Sequence, residues 1–183
     1  MIRKMDMKAI ILLLVVLLVA GTLLFAMCSG PSVERKQSDM QKSLTHISAN
    51  VTQLENYIME WKLVWQNVAI GQMSFEEGVK KLNDMSTGAQ EVARLAADVE
   101  TPKWLNSEAR SEFDSMKRNV SLASNAMSIA SKAGAQMLKS NKLTAADVGV
   151  MANYTKDATN YLNKTVTVIN KFKDGYGIDA PKK

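Results

Sequence analysis

The chain has 183 residues, one cysteine, one histidine and a formal net charge of +5. The length allows one ordinary domain besides any targeting segment, and a lone cysteine excludes both a disulfide scaffold and a thiolate metal cluster. Part of the basic excess lies at the N-terminus, and from Ser29 onward 20 Lys and Arg face 17 Asp and Glu, too small an imbalance to argue nucleic-acid binding.

Residues 1–8 carry Arg3, Lys4 and Lys8 and read as a cytoplasmic n-region, with Met1, Met5 and Met7 all open as the start. Residues 9–27, "AIILLLVVLLVAGTLLFAM", are apolar except for Gly21 and Thr22, and no charge occurs from Ala9 to Val33. As a helix this segment would be roughly 28 Å long, close to the hydrocarbon thickness of a bilayer. Basic residues before it and none within it place the N-terminus inside and the rest of the chain outside.

The run closes on "FAMC" followed by "SG", and Cys28 is the only cysteine. This junction resembles the end of a bacterial lipoprotein signal peptide, which implies that Cys28 becomes the lipidated first residue of the mature protein. Ala26 fits that pattern; Phe25 and Met27 stand where leucine and a small residue are usual. The other reading is an uncleaved transmembrane anchor, since the run exceeds the roughly 7–15 apolar residues of a cleaved signal. Either way the expected location is the cell membrane, with the remaining domain outside the cytoplasm.

Residues 28–33, with Gly30 and Pro31, read as a tether. Met40, Leu44, Ile47, Val51, Leu54, Ile58, Trp61, Trp65 and Val68 then alternate steps of four and three, the seam of a long helix from about Val33 to Ile70, stopped by Gly71. Ser74 and Glu77 form a capping-box pattern opening a second helix, with Phe75, Val79, Leu82, Met85, Ala89, Val92, Ala96 and Val99 as its apolar face. Thr101 followed by Pro102 reads as an N-cap and first position of a third helix, whose seam runs from Ala109 through Phe113, Met116, Val120 and Ala123 to Met137. Thr144 with Asp147 opens a fourth, with Leu143 and Val148 as a staple; Met151, Ala158, Leu162, Ile169 and Phe172 continue inward, and Gly175 and Gly177 end it. The expected fold is therefore all-α: a signal or transmembrane helix, then an antiparallel up-down-up-down four-helix bundle over 34–175, then a basic C-terminal tail, 176–183.

Bundles can hold metals or haem, but inward Glu-x-x-His pairs and C-x-x-C-H are both absent, and His46 sits at the flank of the first seam. No G-x-S-x-G or glycine-rich phosphate loop occurs. The residues point to no cofactor, no metal and no enzymatic activity. They point to a non-enzymatic binding or scaffolding role at the cell envelope, with the membrane and an envelope protein or small ligand as partners. Tyr57, Trp61 and Trp65 recur every four residues along the first helix. They are the candidate ligand or partner patch, and the alternative function is a small-molecule sensor or carrier with an aromatic-lined pocket between helices.

Overall fold

Every described element is helical in the computed structural model, which describes residues 31–140 and 145–178. The elements are α1 (Val33–Ala69), α2 (Phe75–Asp98), α3 (Ser107–Ser140) and α4 (Ala145–Tyr176), and they pack against one another as a four-helix bundle. The chain divides into two units, Met1–Lys36 and Gln37–Lys183, so the first turn of α1 belongs to one and the rest of the bundle to the other. Among the described residues no helix is long and apolar enough to cross a membrane. The n-region, the apolar run, Cys28, Leu143, Thr144, the Asp147 side chain and residues 179–183 lie outside the described residues.

The helix ends follow from local chemistry. Ser32 accepts the Arg35 N–H on its hydroxyl at 3.3 Å and the Lys36 N–H on its carbonyl at 3.0 Å, so the tether stops at Ser32. At the end of α1, Gly71 has φ +72°; its N–H donates to Val68 O at 3.2 Å, and Gln72 N–H donates to Asn67 O at 2.8 Å. This pair of bonds closes the helix only when the residue between can turn left-handed, which glycine does without a Cβ clash. Gly177 ends α4 in the same way, with Ile178 N–H on Lys173 O at 2.9 Å. Ser74 and Glu77 make both halves of the capping box.

The start of α3 differs from the expected one. Thr101 and Pro102 do not begin the helix; Asn106 caps it, accepting Ala109 N–H on Oδ1 at 2.8 Å and Arg110 N–H on its carbonyl at 2.9 Å. The segment between is a turn, closed by Leu105 N–H on Pro102 O at 3.2 Å. It buries Leu105 in the core and lays Trp104 edge-on to Tyr176 at 5.2 Å, and Thr101 instead donates to Asp114 Oδ1 at 2.8 Å. Two large side chains gain burial that an earlier helix start would have denied them, and the tertiary gain overrides the local proline signal.

The core corrects the sequence seams at several places. On α1 the buried positions form three rows of seven-residue period rather than two. Met40, Ile47, Leu54 and Trp61 form the central row; Leu44, Val51, Ile58 and half-buried Trp65 flank it on one side. Ser43, Asn50, Tyr57 and Val64 flank it on the other side, so Tyr57 lies on a packed row and not off the seam. Three rows are what a helix needs to touch two neighbours at once. On α4 the gaps in the apolar seam are Thr155 and Thr165, both buried, with hydroxyls bonded back to Ala152 O at 2.9 Å and Tyr161 O at 3.0 Å. Phe75 is 48% exposed, and buried Gly78 packs inward from the same first turn. Val148, the expected staple partner, is also exposed.

The Ser74 backbone N–H and hydroxyl both donate to the Glu77 carboxylate at 3.0 Å and hold its pKa below the ordinary carboxylate value. A depressed folded-state pKa adds stability that is complete above the unfolded pKa and is lost as pH falls through the folded one. Ser74→Ala removes the N-cap acceptor of the Glu77 N–H and should lower stability by about 1 kcal/mol near neutral pH. The difference from wild type should narrow in acid as Glu77 protonates, read by chemical denaturation across pH 2–7.

Candidate functional site

The three residues of the aromatic patch share one helix, but the rows of α1 send them to different neighbours. Tyr57 turns toward α2. Its hydroxyl accepts the Gln53 Nε2 proton at 2.9 Å, one turn back on the same helix, and lies over Gly88, where an added Cβ would come 2.2 Å from Oη. Any side chain at position 88 would occupy the place of the phenol.

Trp61 is 7% exposed, and its ring meets that of Trp65 at 5.8 Å and 57°. Trp65, half-buried, sets its Cζ2 edge against Gly134 of α3, where an added Cβ would lie 3.1 Å away. Leu82 of α2 and Met151 of α4 reach the same point, at 3.2 and 3.4 Å. Gly134 is thus where side chains from the other three helices converge. It lies in the buried small-residue face of α3, with Ala130, Ser131 and Ala135. The Trp65 ring thus packs against the small-residue face of α3 at ordinary interior density.

This fit leaves polar atoms unanswered. The indole N–H groups of Trp61 and Trp65 and the Ser131 hydroxyl are buried without a hydrogen-bond partner. Ser86, by contrast, pairs its hydroxyl with Ser128 Oγ at 2.9 Å, and Ser124 bonds Val120 O. An indole in a core contributes its apolar area even where its N–H is unmet.

The structure therefore separates the patch, with Tyr57 at the α1–α2 surface and the tryptophans in the interior. A half-open cleft of about 380 Å³ adjoins Tyr57, with Leu63, Val64, Met73 and Met85 as its apolar lining and Glu60, Asn67, Lys81 and Asp84 as its polar lining. Neither tryptophan lines it. A second groove, about 340 Å³, runs between α1 and the end of α4 beside Leu44, Thr45, Thr52, Lys173 and Ile178. His46 is exposed, and among the described residues no three His, Cys, Asp or Glu side chains are grouped as metal ligands.

Reading the seams one helix at a time missed a second aromatic cluster. Phe113 meets Phe172 at 5.8 Å, Phe172 stacks on Tyr176 at 6.2 Å, and Tyr176 meets Trp104. Phe113 and Phe172 were visible as seam residues; Trp104 was not, because it lies on a turn with no period. Lys171 of the same end bonds the Glu112 carboxylate, which raises its pKa.

Compared with protein-family models, curated proteins and solved structures, the chain matches none. The site must be read from its own chemistry.

Truncating the central tryptophan tests the packing. Trp61→Ala should cost about 3–5 kcal/mol, the usual range for emptying a buried aromatic site. Trp61→Phe should cost clearly less, because it keeps most of the apolar contact and removes an N–H that has no acceptor. Thermal unfolding of both variants would check the order; equal losses would show that the ring's apolar contact does not carry the stability.

Proposed function

We propose that this is a membrane-anchored protein of the cell envelope whose helical bundle, held outside the cytoplasm, binds or scaffolds another component without catalysing a reaction. The observation that carries the reading is the charge-free segment ending at the sole cysteine, immediately ahead of a helical domain. Cys28 is the lipid attachment point if the signal is cleaved, and the apolar run is the anchor if it is not.

In this reading the helices run up-down-up-down. Support comes from contacts whose positions rise on one helix as they fall on the next. Ser43 donates to Glu100 O, Tyr57 lies on Gly88, and Val64 and Val68 approach Gly78. Ser86 meets Ser128 while Leu82 approaches Gly134 and Gly78 approaches Leu138. Glu112 pairs with Lys171 and Gly134 approaches Met151. Short connections join neighbours of this kind.

The packed tryptophans favour surface recognition over a carrier with a deep internal pocket. A scaffold needs a rigid body with exposed features, and the α1–α2 end offers Met59, Leu63, Ile70 and Phe75, each about half-exposed or more. The sensor alternative keeps one observation in its favour, the cleft beside Tyr57.

Fractionation and intact mass test the anchoring. The chain is expected in the membrane fraction, carrying diacylglycerol on Cys28 or retaining its full N-terminus. If it is lipidated, Cys28→Ser should abolish the modification and leave the signal uncleaved. A soluble chain beginning at any other residue would overturn the proposal.

A further inference from the structure

Two contact points on α2 shape the cleft. At Gly88 the missing side chain admits Tyr57, and at Gly78 an added Cβ would lie 3.1 Å from Val68 Cγ2 and 2.8 Å from Leu138 Cδ1. Ten residues of helix separate them, about 15 Å. Between these points α2 carries Lys81, Asp84 and Met85, which line the cleft opposite the α1 residues Tyr57, Glu60, Leu63, Val64 and Asn67.

The lining has a directional chemistry. Val64 and Met85 form a floor, 2% and 4% exposed, while Leu63 at the rim is 53% exposed. An apolar group seated there would cover Leu63 and Met73. Glu60 and Asp84 bring two carboxylates with no ion pair among the described residues, and Lys81 brings one ammonium whose charge also acts on Glu77. The charge left over is negative. Tyr57 adds a ring whose face attracts cations, and Asn67 adds a side-chain carbonyl as acceptor. The volume, about 380 Å³, lies within the range of small-molecule sites.

We propose that the α1–α2 cleft binds a small organic cation, an ammonium group on a compact apolar body, with the ammonium between Glu60 and Asp84 and the body over Leu63 and Met73. The proposal deepens the sensor alternative and rests on it; the anchoring is independent. An anionic ligand would meet two carboxylates for one lysine, and a purely apolar one would leave the carboxylates to be desolvated unpaired.

The test is calorimetric titration of the full-length chain in a nonionic detergent, with empty micelles subtracted. The probes are phenethylammonium, neutral 2-phenylethanol and anionic phenylacetate. Phenethylammonium should bind saturably, one per chain, and at least tenfold more tightly than either of the others. The double substitution Glu60→Gln with Asp84→Asn should weaken it at least tenfold, and Lys81→Gln should leave it equal or tighter. All three positions are exposed, so the variants should melt as wild type does; if the double variant does not fold, Lys81→Gln and the probe series decide. Non-saturable heats, equal affinity for phenylacetate, unchanged binding in the double variant or weaker binding in Lys81→Gln would overturn the proposal. Membrane fractionation of the same preparations reads the anchoring separately, so failure of the cleft and failure of the anchor are distinguishable.

Discussion

The bundle depends on how closely its neighbours can approach α3. From Ala123 to Ala135 the buried side chains of that helix are Ala, Ser and Met, with Gly134 near the end. Small side chains let a helix axis be approached from several sides, so one segment can serve α2 through Ser128, α4 through Gly134 and α1 through Trp65. The bulk missing from α3 at Gly134 is supplied by its neighbours as Trp65, Leu82 and Met151, all buried or half-buried. Adding one methyl at Gly134 would press on three helices together, the kind of overpacking that a close-packed interior does not absorb without shifts.

Polar residues enter this core where their hydrogen bonds can be met nearby. Thr155 and Thr165 return their hydroxyls to carbonyls of their own helix, Ser86 and Ser128 pair across two helices, and Ser43 reaches Glu100 O. Trp61, Trp65 and Ser131 break this rule. Each unmet buried group costs about 1–3 kcal/mol. For a tryptophan the loss is set against the apolar area of the largest side chain, so the ring can still be a net gain.

The same geometry divides the surface by role. At Gly134 side chains of three helices close on one point and the interior is filled. Between Gly78 and Gly88 the α1–α2 cleft brings polar and apolar groups to a common space.

Several features were legible in the sequence because they depend on neighbours in the chain. The Ser74–Glu77 box, the stops at Gly71 and Gly177, the four helices and the central row of α1 from Met40 to Trp61 all follow from spacing and residue type. Others needed the partner helices. Ser43 and Asn50 are polar and Tyr57 is amphipathic, so no apolar period marks their row; a facing helix made it a packed one. Thr101–Pro102 is a sound local start signal, yet α3 begins at Ser107 because Trp104 and Leu105 gain more from the aromatic cluster and core than from an extra helical turn. Tyr57, Trp61 and Trp65 could be named from the chain as one patch, but not that Tyr57 would part from the two tryptophans into a cleft lined from α2. Periodicity fixes which way a side chain leaves its own helix, and only the approach of another helix decides whether it meets a core, a gap or water.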